Sequence, residues 1–166
     1  AGLVLPDAIA PGMRELGVML PYTPLHHLLC AAVGRPLVMT SGNLSGAPQV
    51  VGNDEARQML GPFVDAFLLH DRDIARRLDD SVERADPPMV LRRARGLVPG
   101  TLPLPQGFPD RQVVAYGGQM KAAICLTKRG QALLSHHLGD LDEALTWAEF
   151  QKADRDYAAL FGHQPQ

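Results

Sequence analysis

Between Thr40 and Gly46 the chain sets Thr40, Ser41 and Ser45 hydroxyls, the Asn43 amide and two glycines, Gly42 and Gly46, in a single run. Short hydroxyl and amide side chains offer both donors and acceptors at little entropic cost. Glycine lets the backbone approach a ligand closely or adopt positive φ. A loop of this kind can cradle phosphate or carboxylate oxygens with its backbone N–H groups. An ordinary turn draws on the same residue types, so the residues alone leave both readings open.

Charge gathers elsewhere. Arg92, Arg93 and Arg95, with Arg76, Arg77 and Arg84 upstream, form the main basic concentration. Guanidinium forks pair bidentately with phosphate, whereas a basic strand edge can also serve only to discourage edge pairing. If Met89–Arg93 is a strand, Arg93 and Arg95 continue one face and Arg92 the other. Asp79-Asp80-Ser81 offers acceptors for ribose hydroxyls or for a hydrated magnesium ion, or else a turn cap. His70-Asp71-Arg72 could supply a pH-sensitive contact. Lys121 follows a Gly117-Gly118 turn, where backbone donors and one ammonium could meet a phosphate. The pair His136-His137 has no clear place. There is no Ser/His/Asp order, no G-x-G-x-x-G and no Walker loop, so no protein nucleophile is expected on this chain.

The elements that must position these groups follow from pattern. Arg14–Leu20 and Pro36–Met39 read as strands. Thr23-Pro24 is a capping hydroxyl followed by proline at the first helical position, predicting a helix through Leu25, Leu28, Leu29, Ala32 and Val33 that stops at Gly34. His26 and His27 point about 100° apart on it and cannot share a metal; one is expected to be buried and the other exposed. Asn53 is expected to cap a helix over Asp54–Leu60, which Gly61-Pro62 ends. Asp65–His70 reads as a strand, with extended pieces at Ile74–Leu78 and Met89–Arg93. Val113–Tyr116 and Ala122–Thr127 form a hairpin-like pair to which Ala132–Ser135 could add a third strand. Asp140 or Asp142 should cap a helix reaching Phe161, with Trp147, Phe150, Ala153, Tyr157 and Leu160 in one packing stripe.

The 166 residues suffice for one good core or two small ones. A formal charge of −2 argues against a wholesale electrostatic nucleic-acid binder. No apolar stretch approaches the roughly 18 residues that span a membrane. Cys30 and Cys125 lie far apart without a C-x-x-C, so both are expected to be small core residues in a reducing compartment rather than zinc ligands. The opening Ala1–Pro6 lacks an initiator Met and a basic leader, and reads as a cut within a longer protein. Pro99, Pro103, Pro105 and Pro109 with Gly100 and Gly107 predict an extended linker over 98–110, between a unit at 1–97 and the start of another at 111–166.

Thr40–Gly46 resembles the Ser-X-Asn-X-Ser-Gly loop of YrdC-type nucleotide-binding domains. The ordered set Leu16–Leu29, His70-Asp71-Arg72, Asp79–Val82, Leu91–Gly96, Gly117–Lys121 and Leu134–Leu141 is similar to one family, the HypF-type carbamoyltransferases of hydrogenase maturation. The resemblance covers about Pro6 to Asp140. It implies an α/β fold: part of a twisted, mixed YrdC-like sheet with flanking helices, followed by an incomplete α/β unit of hairpin and long helix similar to actin-like ATPases. It also implies a site. Ser41, Asn43, Ser45, Gly46, Asp80, Ser81, Arg92 and Arg95 would bind nucleotide or carbamoyl adenylate, and Gly117, Gly118 and Lys121 would bind phosphate in the second domain. The implied chemistry joins carbamoyl phosphate and ATP, with Mg2+, into carbamoyl adenylate and passes the carbamoyl group to the C-terminal cysteine of a HypE-type partner in the cytoplasm. Metal-binding histidines of that family are expected beyond this chain, and the chain alone is expected to be inactive. Two alternatives remain at this point: a threonylcarbamoyl-adenylate synthase of tRNA modification, and a YrdC-like module that binds double-stranded RNA.

Overall fold

A computed structural model describes residues 5–165. Expectations about the opening residues Ala1–Val4 lie outside them. The chain divides into two compact units, one ending at Thr40 and one running from Ser41.

The first unit is built around helix α1, Pro24–Val33. Its start and stop are those the local chemistry dictates. Thr23 Oγ1 accepts a hydrogen bond from the backbone N–H of His26 at 3.1 Å, and Gly34 closes the helix at φ 66°, a left-handed conformation that side chains disfavour. His26 is half-buried and His27 exposed, and the Tyr22 ring meets His26 edge-on. The strands expected at Arg14–Leu20 and Pro36–Met39 do not form. An extended segment becomes a strand only when its N–H and C=O groups meet a ladder partner, and among the described residues these find none. Cys30 is exposed rather than in a core.

In the second unit, helix α2 spans Asn53–Leu60. Gly52, not Asn53, is its N-cap. Asn53 is the first helical residue, and its amide donates instead to the His70 carbonyl at 2.7 Å. The 65–70 segment is loop rather than the expected strand, since among the described residues it has no ladder partner. Strands β1 (Val82–Arg84) and β2 (Met89–Arg92) form an antiparallel hairpin.

The second sheet carries the core. Its strands are β3 (Thr101–Pro103), β4 (Val114–Tyr116), β5 (Ile124–Lys128) and β6 (Gln131–Leu134), ordered β3-β6-β5-β4 with antiparallel neighbours. The α/β class holds, and β4, β5 and β6 form the expected three-strand meander. The Pro/Gly stretch read as linker contributes β3, an edge strand, the position where proline is tolerated. Between β4 and β5 a Cβ at Gly117 would lie 3.1 Å from the Ala123 carbonyl oxygen, so a larger residue there would need the neighbouring backbone to shift by a few tenths of an ångström.

Helix α3, Ala144–Leu160, packs Phe150, Ala153 and Tyr157 into one cluster with Ala122, Ile124, Leu126, Leu133 and Leu138. The spacing of three and four residues puts these groups on one helix face. The ends of the expected stripe stay outside: Trp147 is 47% and Leu160 70% exposed. Glu143 occupies the N-cap without a side-chain bond, in place of the anticipated aspartate. At the other end Lys128 donates to the Phe161 and Gly162 carbonyls at 2.8 and 2.7 Å, satisfying groups the helix leaves open.

Candidate functional site

The Ser41–Gly46 loop is held by its own side chain. Asn43 Nδ2 donates to the Ala47 carbonyl at 2.9 Å and the Leu44 carbonyl at 3.0 Å, and Val50 N–H bonds back to Gly42 at 2.9 Å. The Asn43 amide nitrogen is therefore spent on loop shape. Ser41, Asn43 and Gly46 line a cleft of about 430 Å³ together with Arg77, Lys121 and His137. Ser45 is exposed and does not line it.

The opposite wall comes from the chain after β6 and the start of α3, where Asp140, Asp142, Glu143 and Glu149 stand. Three carboxylates of this cleft have cationic or imidazole partners. Arg77 Nη1 meets Glu149 Oε1 at 2.6 Å, and Arg77 Nε donates to the Gln49 carbonyl at 2.6 Å. Lys121, at φ 53°, donates its backbone N–H to Asp140 Oδ1 at 2.8 Å and its ammonium to both Asp140 oxygens at 3.2 Å. These bonds, the backbone one first, hold the Asp140 carboxyl below its ordinary pKa. Asp79 is the third. His137 Nδ1 lies 2.5 Å from Asp79 Oδ2, Gln49 Nε2 donates to Oδ1 at 2.8 Å, and Arg92 Nη1 stands 4.0 Å away. The His137 hydrogen bond outweighs burial and keeps the Asp79 carboxyl below its ordinary pKa, with Arg92 and Gln49 adding to the effect. His136, beside it, is buried against Tyr157, whose hydroxyl lies 3.0 Å from its Nδ1. Burial pushes its pKa down to about 4, so it is neutral near pH 7.

A second, smaller cleft of about 240 Å³ adjoins the same residues. Arg92, Arg93, Lys121 and His137 line it, and Lys121 and His137 thus belong to both clefts. Two cations expected on separate domains, Arg92 and Lys121, here face one space. Arg92 and Arg93 share it because β2 ends at Arg92 and the strict alternation ends with it. Arg93 Nη2 donates to the Leu97 and Gly100 carbonyls at 3.2 Å.

The remaining expected residues are engaged elsewhere. Asp80 pairs with Arg95 at 3.2 Å, and Arg95 Nη2 also donates to the Leu78 carbonyl at 2.8 Å. Ser81 Oγ accepts from Ala94 N–H and donates to the Arg95 carbonyl, both at 2.9 Å. These three residues stitch the segments at 78–81 and 94–95 together and line neither cleft. Gly117 and Gly118 also lie outside both. Sequence reasoning named Arg77 only within the basic concentration and Asp79 only within the Asp79-Asp80-Ser81 acceptors, and it did not single out Gln49, His137 or Asp140 as cleft groups. For Asp79 and His137 the signal lay in the doublets Asp79-Asp80 and His136-His137, where spacing could not say which member faces inward.

Comparison with known proteins gives the class first. Residues 2–94 match the Sua5/YciO/YrdC family model, described as "Telomere recombination", and residues 109–166 match the model of the HypF Kae1-like domain. The chain thus joins YrdC-like sequence to HypF Kae1-like sequence. It is 77% identical over 163 residues to the carbamoyltransferase HypF of Rhodobacter capsulatus, matching 98% of this chain and 22% of that protein. It is 43% identical over 166 residues to that of Synechocystis, again over 22% of its length. A crystal structure of full-length HypF in a phosphate- and nucleotide-bound form superposes with TM-score 0.85 at 39% identity, over 99% of this chain and 26% of that one. The chain belongs to the HypF carbamoyltransferase family. It spans about a fifth of the length of the curated relatives it matches.

Among the described residues no helix is long and apolar enough to cross a membrane, and no group of three His, Cys, Asp or Glu side chains is placed to hold a metal ion.

Proposed function

We propose that the two adjoining clefts take part in making carbamoyl adenylate from carbamoyl phosphate, ATP and water, with release of inorganic phosphate from the first and pyrophosphate from the second, for delivery to the C-terminal cysteine of a HypE-type acceptor in hydrogenase maturation. The observation that carries this reading is that the YrdC-like loop at Ser41–Gly46 and the Kae1-like lysine, Lys121, line one cleft. The first cleft is poor in unpaired positive charge. The second adds Arg92 and Arg93 to the Lys121 that both clefts share and is the better seat for phosphate oxygens, because guanidinium groups absorb charge that develops on a leaving phosphate. The loop would hold the acyl group in line for attack. Magnesium bound to ATP keeps most of its water and needs only one or two carboxylates, and the exposed Asp142 and Glu143 at the first cleft fit that role.

The test is pyrophosphate release from ATP by the intact protein, with and without carbamoyl phosphate. Release should require carbamoyl phosphate and fall at least roughly tenfold in Lys121→Ala, which removes a charge-assisted contact. Asn43→Ala should weaken binding of an adenylate analogue by about 1–3 kcal/mol, by loosening the loop and removing its carbonyl. Release that ignores carbamoyl phosphate, or wild-type values in both variants, would overturn the reading. A short RNA duplex titrated at two salt concentrations tests the RNA-binding alternative, since phosphate-only contacts collapse as salt rises.

A further inference from the structure

One wall of the first cleft hangs on a segment that belongs to no helix or strand. Residues 75–79 lie in the YrdC-like sequence, and they meet α3, which lies in the Kae1-like sequence. Lys152 Nζ donates to the Ala75 carbonyl at 3.2 Å, Arg76 Nη2 pairs with Asp156 Oδ2, and Arg77 Nη1 meets Glu149 Oε1 at 2.6 Å. Glu149, Lys152 and Asp156 follow one another at three and four residues, which sets them on one helix face. The Arg76 guanidinium also stands 5.7 Å from the centre of the Tyr157 ring, itself part of the buried cluster. The segment in turn grips Gln49, three residues past the Ser41–Gly46 loop. Arg77 Nε donates to the Gln49 carbonyl at 2.6 Å, and Gln49 Nε2 donates to Asp79 Oδ1 at 2.8 Å. Polar side chains thus link α3 to the loop, and Arg76 and Asp156 line neither cleft.

We infer, resting on the reading of the first cleft given above, that Arg76 and Asp156 are positioning residues whose ion pair docks the 75–79 segment on α3 and so sets the Ser41–Gly46 loop against Lys121. A fully exposed ion pair would contribute little. This one is half-buried beside an aromatic ring, and no strand ladder includes residues 75–78 to hold them in its place. The far wall is tied separately, since Lys121 is held by Asp140, and the His137 N–H donates to the Arg93 carbonyl at 3.1 Å. Loosening the pair therefore shifts the loop wall and leaves the phosphate seat of Arg92, Arg93 and Lys121 in place. Misplacing reacting groups by about 1 Å can cost on the order of a hundredfold in rate, even from a residue far from the chemistry.

The experiment reverses the two charges singly and together in the intact protein, with Arg76→Glu, Asp156→Arg and the double variant. Each single reversal should lower kcat for carbamoyl-phosphate-dependent pyrophosphate release by roughly tenfold. KM for ATP and for carbamoyl phosphate should change by less than about threefold, the split expected of residues that orient rather than bind. Hydrogen exchange of a peptide covering residues 41–50 should quicken by at least roughly threefold, while the Ile124–Lys128 peptide keeps its wild-type protection. The double variant re-forms the pair with its signs exchanged and should recover most of both losses. Asp156→Asn, which keeps the shape and removes only the charge, should show the same split at smaller amplitude. Wild-type kcat in both single variants, or no recovery in the double, overturns the inference. So does exchange that quickens equally at Ile124–Lys128 in Asp156→Asn, the mark of a merely structural role. A wild type whose pyrophosphate release ignores carbamoyl phosphate overturns the reading of the cleft instead. The 41–50 peptide then decides the positioning alone: exchange quickened by the single variants and restored by the double upholds it, and unchanged exchange overturns it.

Discussion

At the scale of single residues the cleft holds two adjacent histidines with opposite tasks. His137 is tied to a carboxylate, whereas His136 is buried against the Tyr157 hydroxyl with its pKa lowered to about 4, by burial first and by Arg76 second. In the unfolded chain a histidine titrates near its ordinary value of 6.5. Above that pH both states hold His136 neutral and its contribution to stability is complete. Between pH 6.5 and 4 the unfolded state takes up a proton that the folded state refuses, so stability falls as pH falls. Below about 4 both states are protonated and the loss is finished. The loss should amount to about 3 kcal/mol across that window, from roughly 1.4 kcal/mol per pKa unit. Urea unfolding of the intact protein at pH 7, 5.5 and 4 measures it, and His136→Asn, which keeps an acceptor for Tyr157 without titrating, should flatten the slope. A slope unchanged in that variant would mean that other groups carry it.

At the scale of elements, α3 separates residues that merely share a stripe from those that pack. Phe150 is buried, stacked on Trp147 at a ring separation of 5.4 Å and tilted against Tyr116 at 5.7 Å. Truncating it to alanine should cost about 3–5 kcal/mol, the usual range for a buried aromatic. Leu160→Ala, at an exposed position ten residues on, should change stability by less than about 0.5 kcal/mol. Denaturant midpoints of the two variants check the contrast, and equal losses would place Leu160 in a core not seen here. The same contrast explains what could be read from sequence. Signals that close within a few residues were legible: Thr23-Pro24 to Gly34 bounded α1, and short strands with tight turns marked β4, β5 and β6. Signals that need a distant partner were not. Arg14–Leu20, Pro36–Met39 and Asp65–His70 have the composition of strands, but composition supplies no ladder. The site divides in the same way. The Ser41–Gly46 loop announces itself, while Asp79 meets His137 across 58 residues of sequence, a contact no spacing rule can reach.

At the scale of the whole chain, stability is distributed unevenly between the two units. No residue from Leu5 to Thr40 is buried, and Val18 and Leu20 are 77% and 78% exposed. The buried cluster lies entirely between Ala122 and Tyr157. Burial of apolar area is the main favourable term in folding, so opening the first unit forfeits little of it. Helix α1 has only ten residues, short of the roughly 12–15 at which an isolated helix becomes even marginal in water. Its two caps add about 1 kcal/mol each, which cannot make up the difference. Strand β5, by contrast, is hydrogen-bonded on both sides, by β4 and β6, and buries Ile124, Leu126 and Thr127. Amide hydrogen exchange reports the free energy of opening segment by segment, from near zero at frayed regions to the global value in core strands. In the 166-residue chain, therefore, amides of β5 should exchange at least roughly a hundredfold more slowly, relative to the unstructured rate, than those of α1. Exchange followed by mass spectrometry on peptides covering Pro24–Val33 and Ile124–Lys128 measures the ratio. Equal protection of the two would mean that α1 opens only with the sheet, and that the two units fold as one.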